Sequence, residues 1–368
     1  MSHRVSKVAV AAVLLALFAP VALSQTPDGA KKPDREPARI RSPDFRALYA
    51  ETPALKAVDR ALEYLRSTQQ PDGSWISGIG KSTGIVSLAA MAFLSRGHTP
   101  GRGRYGDLLD RSIAWVAAQS REGLIVRDTS HGPMYCHGIS TLMLGEAIGM
   151  VDEDRKGLEN IARVHQNGVN VILRAQNVAK EPSAAGGWRY NAGSTDSDIS
   201  VSGWMILALR GAREVGLTVP KRNIDQAVAY MKRCSHPLGG FGYQPGGDAN
   251  LARTGTGVLA LQICGDLQSP EAVRGGEFVL KNQLQWQGPF FFYTVYYCSQ
   301  GMYQLGGTFW EGWKAQCEPL LLKHQNADGS WSPPPNETHE HQAGPAYCTA
   351  MAVLALSVEF KYLPIYQR

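Results

Sequence analysis

Two kinds of apolar segment alternate along the chain from about residue 53 to its end. In the first kind, apolar residues recur every three or four positions among charged ones, which predicts amphipathic helices. Segments of the second kind, such as Ile85–Leu94, are apolar nearly all round, which predicts helices buried on most faces. Each kind occurs six times in alternation, so the sequence predicts six outer and six inner helices.

The bounds of the predicted helices follow from where each apolar pattern begins and ends. The outer helices are expected at Leu55–Ser67, Leu108–Gln119, Leu158–Gln176, Asn223–Cys234, Glu271–Gln283 and Trp310–His324. The inner helices are expected at Thr83–Leu94, Cys136–Gly149, Ser200–Val215, Thr254–Cys264, Tyr293–Leu305 and Tyr347–Phe360.

A glycine-aromatic turn stands between the two helices of each pair. It is clearest at Gln69–Trp75 and Gln325–Trp331, which share Asp-Gly-Ser-Trp. Weaker copies are Gly123-Leu124-Ile125, Gly186-Gly187-Trp188, Gly239-Gly240-Phe241 and Gly288-Pro289-Phe290. Glycine permits the positive φ of a tight turn, the glutamine can hydrogen-bond a neighbouring helix end, and the tryptophan is large enough to staple an outer helix to the next repeat.

Six helix pairs predict an all-α fold, a single α6/α6 toroid at residues 53–368. An open solenoid is the alternative, but solenoids usually carry polar end caps and the last inner segment stays apolar to Phe360. Residues 25–52 are rich in proline and charge and lack apolar periodicity, which predicts a flexible, disordered linker before the toroid.

Residues 1–24 have the pattern of a secretory signal peptide. Arg4 and Lys7 precede an apolar run that is too short to span a bilayer, and small residues follow it at a cleavage position. We therefore expect export to the periplasm or beyond, with an uncleaved anchor as the alternative. No later apolar stretch reaches about 18 residues, so no stable transmembrane segment is expected after cleavage.

Charge and cysteine content narrow the function classes. The net charge is +5 and the 37 basic residues are scattered, so a nucleic-acid partner is not expected. Six cysteines are too few for a disulfide scaffold in a chain of this length, and most are expected to be buried free thiols. Protein partners and oligomeric state are left open by the sequence.

The spelling Gln-x-x-x-Gly-x-Trp at Gln69–Trp75 and Gln325–Trp331 resembles the QW repeat of squalene–hopene and oxidosqualene cyclases. It is similar also to the repeat of protein prenyltransferase β subunits. The resemblance implies the toroid fold, and for the cyclases it implies an aspartic acid that protonates an alkene or epoxide from an Asp-x-Asp-Asp-Thr motif.

The nearest match to that motif runs from Asp196 to Ser200, at the start of the third inner helix. The resemblance makes Asp198 the proton donor and Asp196 the neighbouring carboxyl that keeps it protonated, because like charges resist joint ionisation. Ile199 replaces the last aspartate of the motif. The alternative role for Asp196 and Asp198 is to cap the helix.

Parallel inner helices would place all six of their N-termini at one mouth, where the helix ends favour an anion. The residues expected to bind substrate there are Tyr135, His137, Trp204, Arg253, Tyr293, Tyr297 and Tyr347. Core packing of these side chains is the alternative. A metal site from Cys136, His137 and Asp198 or Cys348 is disfavoured, because no metal-ligand spacing occurs, and no metal or cofactor is expected.

Two functions remain open. The first is an exported terpene-cyclase-like or prenyltransferase-like enzyme, a squalene-cyclase-like isomerase that protonates and cyclises an apolar polyene. The second is a non-catalytic exported toroid that binds a lipid, glycan or peptide. A carbohydrate lyase or hydrolase would need an acidic pair across a cleft, and Glu146 and Glu214 fall late in inner helices. The His339-Glu340-His341 triplet is expected to lie in a solvated loop.

Overall fold

The computed structural model describes residues 51–367 except Ser130, Glu153 and Asn336. The predicted signal peptide and residues 25–50 of the predicted linker lie outside the described residues. The first helix begins at Pro53, and none of the helices in the described ranges is long and apolar enough to cross a membrane.

Twelve helices alternate between an outer and an inner layer in the described part of the chain. The outer helices are α1 (Pro53–Thr68), α3 (Gly106–Ala118), α5 (Leu158–Gln176), α7 (Lys221–Arg233), α9 (Pro270–Lys281) and α11 (Gly307–Lys323). The inner helices are α2 (Thr83–Leu94), α4 (Pro133–Gly149), α6 (Ile199–Glu214), α8 (Leu251–Ile263), α10 (Phe291–Leu305) and α12 (Thr338–Leu356). A short hairpin of β1 (Ser120–Arg121) and β2 (Leu124–Ile125) forms the second glycine turn.

The predicted bounds agree with the structure to within three residues at every helix except the last. Helix α12 begins nine residues earlier than expected and bends at Gly344, whose φ of 80° interrupts the helix just before Pro345. The expectation of a solvated loop at His339–His341 is therefore wrong. These residues form the first turn of α12, and Glu340 is buried.

The inner helices form a closed ring. Each packs against the next, and α12 packs against both α2 and α1, so the last repeat meets the first. The inner helices are buried over most of their length, and every residue of α2 is buried. The single all-α toroid predicted from the sequence is confirmed, and the open solenoid is excluded.

The glutamine of each strong turn ties its repeat to the following outer helix. Gln69 donates from Nε2 to the carbonyl oxygen of Leu108 at 3.0 Å, at the start of α3. Gln325 donates in the same way to Ala57 of α1 at 2.7 Å, a bond that spans the junction between the last and first repeats. An equivalent bond joins Gln176 to the Asn223 carbonyl at 2.9 Å. The predicted role of these glutamines is thus observed.

Glycine and tryptophan complete the turn. Gly329 has φ +90°, and a Cβ atom there would lie 2.5 Å from the carbonyl oxygen of Arg60 in the next outer helix. Trp331 is fully buried and donates from Nε1 to Leu321 of its own outer helix at 2.9 Å. The indole hydrogen bond therefore holds the turn to the helix before it, while the glutamine reaches the helix after it.

The fifth turn departs from this arrangement. Phe290 has φ 54° and is only half buried, so it is not the buried staple that the pattern predicts. Trp286 instead stacks on His324, with ring centroids 3.9 Å apart, and meets Phe291 edge-on at 4.7 Å.

Residues Pro364–Tyr366, which we call the tail, pack into the end of the toroid at which α4 and α6 finish. Ile365 donates its backbone N–H to both carboxyl oxygens of Glu146, at 3.3 Å each. The Tyr366 hydroxyl lies 3.4 Å from that of Tyr296 on α10. Both Ile365 and Tyr366 are buried, so the tail fills this end of the toroid.

Candidate functional site

A cavity of about 460 Å³ opens at the end of the toroid where the six inner helices begin. Residues at or beside the N-terminal end of every inner helix line it, including Gly84, Tyr135, Ser200, Arg253, Tyr293 and Glu340. Each outer helix brings the chain back to the same end before the next inner helix begins. The inner helices are therefore parallel, and all of them begin at that end. We call this space the mouth cavity.

The wall of the mouth cavity is mostly aliphatic and aromatic. Its aliphatic residues include Ile79, Ile85, Leu88 and Ile139. Its aromatic residues are Tyr135, Tyr190, Trp204, Tyr243, Phe290, Tyr293 and Tyr347. Trp204 is buried and stacks on Tyr296, with centroids 5.3 Å apart and planes 15° from parallel. The cavity wall is therefore predominantly apolar, and stacked rings lie behind it.

Five of the residues predicted to contact substrate line the mouth cavity. They are Tyr135, Trp204, Arg253, Tyr293 and Tyr347. The Tyr293 hydroxyl lies 3.4 Å from Thr256 Oγ1, and its ring is 4.7 Å from that of Tyr297. The structure places the other four predicted site residues, described next, outside the cavity wall.

Asp198 caps helix α6. Its Oδ1 accepts a hydrogen bond from Val201 N–H at 2.9 Å, and Oδ2 lies 3.8 Å from Nε of Arg189. Burial raises the pKa of Asp198 to about 6, opposed by the Val201 N–H and the Arg189 charge. The carboxyl is fully buried and does not line the cavity, so the capping role is present in the structure.

Asp196 does not form a buried pair with Asp198. Its side chain is 54% exposed, and Oδ2 lies 3.4 Å from Nε of Arg189. The guanidinium of Arg189 therefore lies close to both carboxyl groups. The Arg189 charge lowers the pKa of Asp198 against the effect of burial, whereas the cyclase arrangement requires a second carboxyl group that raises it.

His137 and Tyr297 are buried away from the cavity. His137 Nδ1 accepts from Ile125 N–H at 3.1 Å, and Nε2 donates to the Gly168 carbonyl at 3.1 Å, which joins β2 and α5 to α4. Burial lowers the pKa of His137 to about 4, so the ring is neutral. Tyr297 packs behind Trp204, with centroids 5.3 Å apart, and burial raises the pKa of its hydroxyl.

Glu340 is a carboxyl group in the cavity wall that the sequence pattern did not predict. Glu340 is 3% exposed, and its Oε1 accepts from the N–H groups of Phe292 at 2.8 Å and Tyr293 at 3.1 Å. Burial raises its pKa to about 8, with the N–H donors lowering it and Glu337 raising it. In the sequence, the prolines and the asparagine just before Glu340 indicate a loop. Glu340 nevertheless belongs to the same inner helix as Tyr347.

The rim of the cavity is basic and aromatic. The guanidinium of Arg189 lies 4.6 Å from the ring centroid of Tyr190 and 5.3 Å from that of Tyr243. Arg253 lies over the same Tyr243 ring at 5.3 Å. Cation–π contacts of this kind hold the two arginines in place. Tyr190 and Tyr243, whose hydroxyls hydrogen-bond each other, were also missed by the sequence analysis.

The sequence also predicts that no metal site is present here and that most of the cysteines are free thiols. Among the described residues, no group of three histidine, cysteine or acidic side chains is placed to hold a metal ion. The rings of His131 and His339 approach within 5.6 Å at the cavity edge. All six cysteines are free, and Cys136 in the cavity wall lies 3.3 Å from Ser82 Oγ.

Comparison with known proteins agrees with this architecture. The model of the prenyltransferase alpha-alpha toroid domain matches residues 59–291 and 192–365. The chain belongs to the prenyltransferase α/α-toroid family. No curated protein matches the chain. The resemblance inferred from the QW turns is confirmed at the level of the family.

Solved structures with the same fold have different activities. A variant of the type II terpene cyclase MstE from Scytonema, in complex with its substrate geranylgeranyl dihydroxybenzoate, aligns with a TM-score of 0.55 and 14% identity, covering 84% of this chain and 98% of that one. An inactive α-1,6-mannanase variant from Salegentibacter, in complex with α-1,6-mannotetrose, aligns with a TM-score of 0.57 and 10% identity, covering 83% and 99%. At these identities the likeness shows the fold alone.

Proposed function

We propose that this toroid is exported and binds an apolar, isoprenoid-like small molecule in the mouth cavity. The observation that carries the proposal is the wall of the cavity, in which aliphatic and aromatic side chains from all six inner helices surround about 460 Å³. Small-molecule sites are typically clefts of about 300–1,000 Å³ with this kind of lining. The terpene cyclase of the same fold holds a geranylgeranyl substrate, which supports an isoprenoid ligand.

Binding is favoured over carbohydrate hydrolysis by the acidic groups. Glu340 is the one carboxyl side chain that lines the cavity within the described residues. Glycoside hydrolysis usually requires two carboxyl groups flanking the bond. Glu146 and Glu214 lie towards the other end of the toroid, where Glu146 accepts from Ile365 N–H, so neither of them forms a pair with Glu340 across the cavity.

Proton-initiated cyclisation of a polyene is the second proposal, with Asp198 as donor and Asp196 as its neighbour. The observation that favours it is the burial of Asp198, which raises the pKa of its carboxyl to about 6 and keeps it protonated in mildly acidic solution. Asp198→Asn preserves the cap on Val201 and would abolish turnover without unfolding the protein. Unchanged turnover of an isoprenoid in this variant contradicts the second proposal and leaves the binding function intact.

The binding function is tested by filling the mouth cavity. Ala343 lines the cavity, so Ala343→Trp places an indole there. Titration of farnesene into the mature protein, followed calorimetrically, should show binding that Ala343→Trp weakens at least about tenfold, because a filled pocket excludes the ligand. Ala179→Trp, at an exposed loop position after α5, is the matched control and should bind as the wild type does. Equal binding by all three proteins contradicts the proposed site.

A further inference from the structure

Glu340 has one carboxyl oxygen engaged and one without a partner. Oε1 accepts both backbone N–H groups at the start of α10. Oε2 is buried and makes no hydrogen bond with any described residue. Neighbouring Glu337 differs, since its Oε2 accepts from Phe290 N–H at 2.8 Å and its Oε1 from His339 N–H at 2.9 Å. Of these two neighbouring carboxyl groups, only Glu340, in the cavity wall, has an oxygen without a hydrogen-bond partner among the described residues.

The surroundings of Glu340 favour the protonated, neutral form of its carboxyl group. Burial is the main cause of its pKa near 8, and no lysine or arginine of the described residues forms an ion pair with it. The titratable groups that face this region are Glu337, His339, Tyr347 and Cys348 on α12 and the segment leading into it, Tyr293 on α10, and His131 before α4. At neutral pH the carboxyl is neutral, with Oε1 accepting from the backbone and Oε2 available as the O–H donor.

A buried donor without an acceptor is unfavourable, and a ligand oxygen that accepts from it removes that cost. We propose that the Oε2–H of Glu340 donates a hydrogen bond to an oxygen of the ligand in the mouth cavity. The ligand class is thus an apolar molecule that carries a carbonyl or ether oxygen, rather than a plain hydrocarbon. This inference rests on the proposed binding function and adds the polar group that orients the ligand.

A cationic ligand would use Glu340 in the opposite way, as a carboxylate. The aromatic wall alone would suit such a cation. The N-terminal ends of the six inner helices and the guanidinium of Arg253 all place positive charge at the mouth, which disfavours it. The two ligand classes predict opposite pH dependence, because the oxygen acceptor needs the protonated carboxyl and the cation needs the ionised one.

The test uses geranylacetone, an isoprenoid ketone, as the probe and farnesene as the hydrocarbon reference. If only the protonated carboxyl binds the ketone, its Kd should rise about thirtyfold between pH about 7 and about 9.5, given a pKa of about 8. Glu340→Gln keeps an acceptor for the α10 N–H groups and offers an amide N–H where Oε2 lies. It should bind the ketone within about threefold of wild type at neutral pH, with a flat pH profile.

A spectroscopic readout separates hydrogen bonding from simple occupancy. The carbonyl stretch of bound geranylacetone should lie at lower frequency than in a hydrocarbon solvent at neutral pH. That shift should disappear at pH about 9.5 in the wild type and persist in Glu340→Gln. Glu146→Gln is the matched control, because Glu146 is equally buried but lies at the tail end of the toroid. It should leave the pH profile of binding unchanged.

A ketone Kd that is independent of pH, an unshifted carbonyl stretch, or a pH dependence that survives in Glu340→Gln overturns the role of Glu340. Tighter binding of the ketone at high pH also overturns it, because the ionised carboxyl cannot donate the hydrogen bond. If farnesene and the ketone both bind but show no dependence on Glu340, the proposed binding function stands and this inference fails. If neither binds, the proposed function fails with it.

Discussion

The buried carboxyl group of Glu146 gives the fold a specific dependence on pH. Glu146 is fully buried in α4, and its ordinary pKa of 4.5 is raised to about 8 by burial, with the Ile365 N–H lowering it and Glu214 raising it. Between pH about 4.5 and about 8 the unfolded chain has lost this proton and the folded protein retains it. Because the unfolded state binds fewer protons in this range, the free energy of unfolding falls as pH rises.

The magnitude follows from the size of the pKa change. One pH unit corresponds to about 1.4 kcal/mol for a single group, so the full change in the free energy of unfolding is of the order of 5 kcal/mol across the range. Glu146→Gln is neutral in both states and removes this contribution. The difference in unfolding free energy between the variant and the wild type should therefore shift in favour of the variant by about 1.4 kcal/mol per pH unit from pH 5 to pH 8.

Urea unfolding at a series of pH values measures this difference directly. The variant's stability at any single pH also reflects the altered hydrogen bond to Ile365, so the slope is the informative quantity. Glu340 has the same direction of pKa change, and Glu340→Gln should remove a second slope of similar size. Glu159→Gln, exposed in the first turn of α5, is the surface control. Parallel stability curves for Glu146→Gln and wild type would refute the reasoning.

Three further substitutions test how the toroid is closed. Gln325→Leu removes the hydrogen bond to the Ala57 carbonyl that joins α11 to α1, and should cost about 1–3 kcal/mol in urea unfolding. Gly329→Ala puts a Cβ 2.5 Å from the carbonyl oxygen of Arg60 at φ +90°, and should cost more than about 2 kcal/mol by the same assay. Tyr366→Ala empties a buried site in the tail, and should lower the unfolding free energy by about 3–5 kcal/mol.

Matched controls separate these effects from generic damage. Gly216→Ala shares a positive φ, +82°, but its Cβ would meet nothing within 4 Å, so it should cost about 1–2 kcal/mol and less than Gly329→Ala. Gln325→Leu should resemble Gln69→Leu in cost, because both glutamines bond the following outer helix. A negligible effect of Gln325→Leu or Tyr366→Ala, or equal costs for the two glycine variants, would contradict the corresponding account.

The fold was predictable from the sequence because short local sequence patterns determine the structure of each repeat. Two turns carry the same glutamine and glycine, Gln69 with Gly73 and Gln325 with Gly329. In each turn the glutamine bonds the next outer helix and the glycine lies against it, so the turn determines which helix is its neighbour. The unbroken apolar inner segments could be buried only inside a second layer. The last inner helix was the exception, because its first turn carries polar residues and is separated from the apolar stretch by the bend at Gly344.

The candidate site was only partly predictable, because side-chain direction depends on tertiary packing. Tyr135, Tyr293 and Tyr347 line the cavity as expected. His137 lies two positions after Tyr135, about 200° further round the helix axis, so its side chain points away from the cavity, to β2 and α5. Asp198 has the same sequence signal as either an acid or a cap, and only its bond to Val201 shows that it caps α6.

A crystal structure of the mature protein with farnesene tests the central claim most directly. The account predicts ligand density in the mouth cavity, against Trp204 and between Tyr135 and Tyr293. A larger groove of about 860 Å³ lies on the outside of the toroid between α3 and α5, lined by basic residues such as Arg155 and Arg163. Ligand density in that groove, with the mouth cavity empty at saturating farnesene, would contradict the account.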